Sequence, residues 1–347
     1  MLDYDEVLGD IRSRVLLILT YLASLGCLVW TLHDAKLGEL KDDLATMDWW
    51  WLGLAVVADI AVYCWQALRW RMVLRPVEPV SFRQAVSAIY IGLFANEVLP
   101  FRAGEILRCY LVSRWTKLPF SVAISSFLIE RIFDGIWLCL CLLLAIRLLR
   151  VHHHIGWLVR GGYIVGLVVL AGAALLALAV FLRQKTRALF SGDGWQRHLR
   201  VLIDDLNLIG HSRYLYFAFL QSLPYLLLQV VPIYAALQAY KFDESPGFDP
   251  SLGVAFALMV ILRLGSVVPQ APGNLGLFQF LTKEALQRMF HVAPAEAARF
   301  SLVLWGTVTL PLLVAGFFAL MVTERKLFDL KRAAEDHASE MVKNRLT

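Results

Sequence analysis

Apolar residues along this chain come in long unbroken runs rather than on one face of a repeat. Runs over 15–32, 49–68, 120–148, 157–182, 214–240 and 297–323 each reach the roughly 20 residues that a helix needs to cross the hydrocarbon core of a bilayer. Two more apolar regions, 80–116 and 251–290, are interrupted near the middle. The first breaks at Pro100 and Gly104, the second at Pro269, Pro272, Gly273 and Gly276. The pattern predicts an all-α polytopic membrane protein with about six full transmembrane helices and two broken segments.

Charge decides how the broken segments run. Arginines and lysines gather in 69–83, in 183–213 and beyond 323, and the positive-inside bias places all three in the cytoplasm. Residues 241–250 (KFDESPGFDP) carry one lysine and face outside. Segments 69–83 and 114–118 both belong inside, so 84–113 should enter the membrane and return. Segment 251–290 starts outside, and 297–323 must end inside, so it too should enter and come back. Both regions are therefore expected to be re-entrant helical hairpins, one from each face.

The order then repeats. Span 49–68, hairpin 80–116 and span 120–148 correspond to span 214–240, hairpin 251–290 and span 297–323. That is an inverted repeat, a plan that puts transporter binding sites at broken helices near the midplane. One membrane domain is expected over 1–323, with repeat one at 49–148, repeat two at 214–323 and extra helices at 15–32 and 157–182. Residues 324–347 form a charged cytoplasmic tail, expected as an interfacial helix. N- and C-termini are both cytoplasmic on this path, and the location is the cell (inner) membrane.

Composition agrees. Charged residues make up 18% of the 347 and hydrophobic ones 59%, where a soluble domain carries about 25% charged. The basic pI of about 9.0 reflects residues beside apolar runs, which points to loop orientation and anionic headgroups rather than nucleic acid. Cys27, Cys64, Cys109, Cys139 and Cys141 lie in or beside apolar segments without metal-site spacing, so reduced thiols are expected. His152, His153 and His154 have no convergent partners and read as an interfacial turn. No Walker A run, HExxH or nucleophile elbow is present, so no cofactor, metal or ATP-driven step is expected.

A charge at membrane depth costs about 2.5–3.5 kcal/mol on insertion scales and needs a partner or a wet cavity. The first hairpin supplies Asn96, Glu97, Arg102, Glu105 and Arg108. A helix restarting at Gly104 puts Glu105 and Arg108 on one face. The next span opens with SSFLIERIFDGIW, where Glu130 and Asp134 share a face and Arg131 lies beside them. The second hairpin supplies Arg263 and then PQAPGNLGLFQ, whose N–H groups at 273–277 could face an anion at a helix start. Arginine forks grip phosphate well. Arg102, Glu105, Arg108, Arg263, Asn96, Gly273 and Asn274 are therefore the candidate headgroup-binding residues. Glu97, Glu130, Arg131, Asp134 and Gln279 form a supporting charge network that either serves the site or locks helices together. Asp59, alone in its span, is a candidate partner for an arginine such as Arg263.

The motifs NEVLPFRAGEILR, IERIFDGIW and VPQAPGNLGLFQ, in that order, resemble the membrane domain of the lysylphosphatidylglycerol synthase family. The resemblance covers roughly 50–323 and implies a helical bundle with paired re-entrant helices that moves lipid between leaflets. By that match Asn96, Pro100, Arg102, Gly104, Glu105, Glu130, Arg131, Asp134, Pro272, Gly273 and Gly276 are motif positions. Two positions depart from it. The family's second motif reads like PGG and ends in a glutamate, where this chain has Asn274 and Gln279. The synthase's soluble domain is not expected, so the chain should not itself make aminoacylated lipid.

Together these readings predict a non-enzymatic lipid flippase or scramblase. Its cargo would be a phosphate-bearing lipid, anionic or sugar-linked, passing through a polar groove between the hairpins. Two alternatives are an integral-membrane transferase acting on a lipid-linked substrate and a non-catalytic partner of an envelope-lipid biosynthesis enzyme.

Overall fold

A computed structural model describes residues 4–99, 103–148, 212–266 and 271–346, with isolated positions at 166–167, 171 and 204. Arg102, Pro100, Pro269 and His152–His154 lie outside those residues. So do span 157–182 and the basic loop after it, isolated positions aside. Every regular element among the described residues is helical.

The chain opens with α1 (Tyr4–His33) and the short α2 (Leu40–Thr46), followed by the long α3 (Trp49–Leu74). The first broken segment forms α4 (Phe82–Val98) and α5 (Gly104–Trp115), and α6 (Phe120–Leu148) follows. After the undescribed stretch come α7 (Arg213–Leu228) and α8 (Val230–Ala239). The second broken segment forms α9 (Leu252–Gly265), a turn at Pro272–Asn274 and α10 (Leu277–Phe290). The chain ends in α11 (Pro294–Leu346). Among the described residues, three stretches are long and apolar enough to cross a membrane: Trp49–Leu74, Arg213–Ala239 and Pro294–Thr323. Shorter apolar helices run over Ile18–His33 and Leu252–Gly265.

Local chemistry sets several of these ends. Asp48 accepts from the Trp50 N–H to start α3, and Ser81 and Gln84 form a reciprocal capping box at α4. The expected span 214–240 is present as the stretch Arg213–Ala239, broken at Gln229 into two consecutive helices. Pro232 has no N–H for the carbonyl of Leu228, four residues back, and α7 stops at that residue. The first span is longer than expected: α3 runs on to Leu74, which brings Arg69 inside the helix rather than into the cytoplasmic loop. The tail is also not a separate helix, because α11 continues through it to Leu346.

Both broken segments are helical hairpins. Gln84 Nε2 donates to the Trp115 carbonyl at 3.3 Å, while Gly92 meets Gly104 near the other end, so α4 and α5 are antiparallel. The contact at the tip depends on glycine, since a Cβ on Gly104 would run into the carbonyl oxygen of Gly92. With 17 and 12 residues, these arms span roughly 25 and 18 Å at about 1.5 Å per residue, less than the roughly 30 Å of hydrocarbon. The arms α9 and α10 have 14 residues each, or roughly 21 Å.

Two apolar clusters hold the bundle. One joins the first half of α3 to α8, α9, α10 and the start of α11, around Leu258, Leu286, Phe300 and Leu304. The other joins the second half of α3 to α4, α5 and the start of α6, around Trp70, Leu74, Ile89 and Val112. Between them lies polar space.

Candidate functional site

That space is a cavity of about 180 Å³, room for several water molecules. One wall is the α3 face carrying Asp59, Tyr63 and Gln66. Another comes from the hairpin tips, with Asn96, Glu97 and Glu105 from the first and Arg263, Ser266 and Asn274 from the second. Arg131 of α6 and Tyr225 of α7 close a third side, and Met259, Leu281, Leu304 and Leu312 make the rest apolar. The two hairpins meet here directly, because Asn274 Nδ2 donates to Glu97 Oε1 at 3.3 Å.

Beside the cavity sits a closed circuit of alternating charges. Arg108 Nη2 donates to Glu130 Oε2 at 2.9 Å, and its Nε lies 3.2 Å from Glu105 Oε2. Arg69 donates to Glu130 Oε1 from Nε at 3.2 Å and from Nη2 at 3.1 Å. It also reaches both Asp134 oxygens, with 3.3 Å from Nη2 to Oδ2. Asp134 Oδ2 is 3.9 Å from Arg131 Nη2, which is 3.7 Å from Glu105 Oε1. Three guanidinium groups thus face three carboxylates on α3, α5 and α6, with formal charges that cancel.

The circuit is tight on one side and loose on the other. Arg69, Arg108 and Glu130 are buried, and Ser222 accepts a further bond from Arg69 Nη1 at 3.0 Å. At Arg131 both ion contacts are long, the side chain is 36% exposed, and its Nε has no hydrogen-bond partner among the described residues. Arg131 is therefore the cation of the circuit that opens into the cavity, beside Glu105.

Tyr225 connects the circuit to the second hairpin. The Arg69 guanidinium lies 4.4 Å from its ring centroid, and Arg263 Nη2 donates to its hydroxyl at 3.5 Å. Arg263 and Arg131 are the two cations that line the cavity among the described residues.

The expected headgroup residues divide into two groups. Glu105, Arg263, Asn96 and Asn274 line the cavity, together with Glu97 and Arg131 from the expected supporting network. Arg108 does not line it, being held between Glu130 and Glu105. Glu130 and Asp134 belong to the circuit. Gly273 is buried in a left-handed turn with φ 73°, and its carbonyl accepts from Trp305 Nε1 at 2.7 Å. The N–H groups expected to face an anion at 273–277 are in part already used. Gly276 N–H donates to Gln279 Oε1 at 2.7 Å, and Asn274 N–H donates to the Ala271 carbonyl at 3.1 Å. Gln279 is fully buried and caps α10 from its third position. Asp59 and Arg263 share the cavity without a direct ion pair between them.

Sequence reading missed Arg69 as a site residue by counting it among the orienting loop charges. A spacing signal was available: Asp59, Tyr63, Gln66 and Trp70 recur every three or four residues, so α3 carries a polar stripe with Arg69 at its end. Tyr225 gave no such signal. A second ion cluster at the α3 N-terminal end was also missed. There Arg299 donates to Glu39 at 2.7 Å, and to Asp43 and Glu244 at 2.6 Å each. The Arg299 bond holds the Glu244 carboxyl below its ordinary pKa.

Comparison with known proteins shows the family. A family model described as Lysylphosphatidylglycerol synthase TM region matches residues 16–321. Glycosyltransferase AglD of Haloferax volcanii is 26% identical over 70% of this chain and 44% of its own length. A UPF0104 membrane protein of Methanothermobacter thermautotrophicus is 26% identical over 52% of this chain and 51% of its own. Another from Methanocaldococcus jannaschii is 25% identical over 35% of this chain and 36% of its own. The chain thus spans about half the length, or less, of these curated relatives. No solved structure matches.

Proposed function

The chain belongs to the lysylphosphatidylglycerol synthase TM region family, and on that premise we propose that it is a lipid flippase or scramblase. It moves the phosphate-bearing headgroup of a membrane lipid through the cavity between the hairpin tips while the tails stay in the bilayer. The observation that carries this reading is the polar cavity itself, where two broken hairpins from distant parts of the chain meet beside apolar walls. Irregular backbone at membrane depth is tolerated only where it is buried in protein or lines such a cavity. Arg131 and Arg263, which line the cavity, receive the phosphate on this reading, and Glu105 and Tyr225 position them.

The packing supports an inverted repeat. The first arm α4 packs on α3 and also on α11, and the corresponding arm α9 packs on α8 and also on α6. The second arms pack on α6 and α11 respectively, while α3 packs on its counterparts α7 and α8. These contacts in one half thus have counterparts in the other, as alternating access by rocking of repeats uses. On this reading α4–α5 enters from the cytoplasmic side and α9–α10 from the outside. The protein sits in the cell (inner) membrane with both termini in the cytoplasm, and one membrane domain covers 1–323.

The printed name of the Haloferax relative favours a second reading, a transferase acting on a lipid-linked substrate. Among the described residues, Asp59, Glu97 and Glu105 are the acids in the cavity, and the latter two flank the first hairpin's break. Reconstitution separates the two readings. Vesicles containing the full chain and fluorescent phosphatidylglycerol or a prenyl-phosphate sugar should show accelerated leaflet exchange. Folded protein that exchanges no lipid defeats the flippase reading. New product from a lipid-linked donor, abolished by Glu105→Gln, establishes the transferase.

A further inference from the structure

We propose that the α3 wall of the cavity is a subsite for hydroxyl groups, so the headgroup carried is a phosphate bearing a sugar or another ring polyol. This rests on the transport reading above and names its cargo. Three acceptor oxygens on this wall and the adjoining α4 have no hydrogen-bond partner among the described residues: Asp59 Oδ2, Gln66 Oε1 and Asn96 Oδ1. All three residues line the cavity, and Asp59 and Gln66 are 6% and 4% exposed. Buried polar atoms in native proteins have partners, water included, so a cargo that displaces water from the cavity has to supply donors here.

Chemistry and spacing narrow the donor. A bare phosphate offers only acceptors at neutral pH, and its place is at Arg131 and Arg263. A single ammonium could satisfy Asp59 alone. Asp59 and Gln66 are seven residues apart, two turns along the same face, which separates them by roughly 10 Å of helix rise. One compact group does not span that distance. A ring carrying several hydroxyls does, with one edge on Asp59 and the other toward Gln66 and Asn96. Tyr63 lies between them on the same face and offers a ring against which an apolar sugar face can rest. Phosphate at the arginines and hydroxyls at α3 then fill both polar sides of the cavity.

The test uses the full chain in lipid nanodiscs and vesicles with a matched pair of probes, a polyprenyl phosphate and the same lipid carrying a hexose. Phosphatidylethanolamine serves as an ammonium probe. Hexose-bearing lipid should bind at least tenfold more tightly than bare polyprenyl phosphate, the scale of one added hydrogen bond to a charged group. Asp59→Leu and Gln66→Leu should each bring that ratio toward one. Equal binding of the matched pair by the unaltered protein overturns the proposal, and so does preference for phosphatidylethanolamine. A retained hexose preference in both folded variants also overturns it. Hexose preference without leaflet exchange supports the subsite and defeats transport, whereas equal exchange of all three lipids supports transport and overturns the subsite.

Discussion

Asn274 and Glu97 join the two broken hairpins across 177 residues of chain by one hydrogen bond of 3.3 Å. The asparagine sits in the left-handed region, with φ 52°, which glycine and asparagine enter more readily than other residues. That accounts for Asn274 standing where the resemblance to the family expects glycine. The backbone requirement is met either way, and the amide adds a tie between hairpin tips.

Substitutions at this position separate backbone from side chain. Asn274→Gly should cost only the bond to Glu97, about 1–3 kcal/mol. Asn274→Ala should lose the same bond and add about 1 kcal/mol or more of left-handed strain. Thermal unfolding in one detergent should rank the natural chain above Asn274→Gly, and that above Asn274→Ala. Equal midpoints for the two variants would remove the strain argument.

Gln279 answers for the missing glutamate. Its Oε1 accepts from the Gly276 N–H at 2.7 Å, a capping geometry that a glutamate carboxylate reproduces. Gln279→Glu should therefore fold, with a midpoint close to that of the natural chain, because a negative charge at a helix start is favourable. Gln279→Leu leaves a buried N–H without its acceptor and should lose about 1–2 kcal/mol. Denaturation curves that order the two variants the other way would show that the cap contributes little.

The charge circuit should behave as a unit. Arg69 is buried against Glu130 and Asp134, so Arg69→Leu leaves two carboxylates without their shared cation. Breaking a buried pair on one side costs about 3–5 kcal/mol. The combined Arg69→Leu/Glu130→Gln change removes charge from both sides and should recover part of that loss. Additive loss in a double-mutant comparison would contradict a shared network.

At the other end of α3, stability should fall with acid. Glu244 in the 241–250 loop has its carboxyl pKa lowered by the Arg299 hydrogen bond, and Asp34 is lowered by its bond from Lys283. A carboxylate whose folded pKa lies below its unfolded value adds stability that is complete above the unfolded value. That stability is lost as pH falls through the folded one. The unfolding midpoint should hold at neutral pH and drop below the ordinary carboxylate range near pH 4–4.5. In Arg299→Ala, Glu39, Asp43 and Glu244 repel one another, so its deficit should be largest at neutral pH and narrow in acid. A deficit independent of pH would show that Arg299 acts by packing alone.

Much of this was readable from the chain, in proportion to how local the cause is. Apolar runs marked α3, α6 and the α11 span, and Pro and Gly marked both hairpin breaks, because span length and backbone breaks are properties of short segments. Glu105, Asn96, Arg263 and Asn274 reach the cavity because they flank those breaks. Arg131 lines the cavity and Arg108 does not, the reverse of their expected places, because which arginine a carboxylate captures depends on how α5, α6 and α3 pack. Arg69 was read as a loop charge because apolarity falls before the helix ends. The Arg299 cluster joins residues from α2, the 241–250 loop and α11, and no local pattern brings those together.

That exchange of places yields the prediction that bears most directly on transport. Arg131 has long ion contacts and a side chain that is partly exposed, whereas Arg108 is buried with short ones. Arg131→Ala and Arg263→Ala should therefore leave a folded protein whose exchange of phosphatidylglycerol slows by about tenfold to a hundredfold, the effect of one lost charge-assisted bond to phosphate. Lysine at either position should restore only part of the rate, because it keeps the charge without the planar fork. Arg108→Ala should instead fail by unfolding, with a midpoint lowered to the extent expected for a broken buried pair. Exchange rates normalised to folded protein make the comparison. If Arg108→Ala folds and loses exchange while Arg131→Ala keeps it, the phosphate site lies on the α5 side of the circuit and not in the cavity.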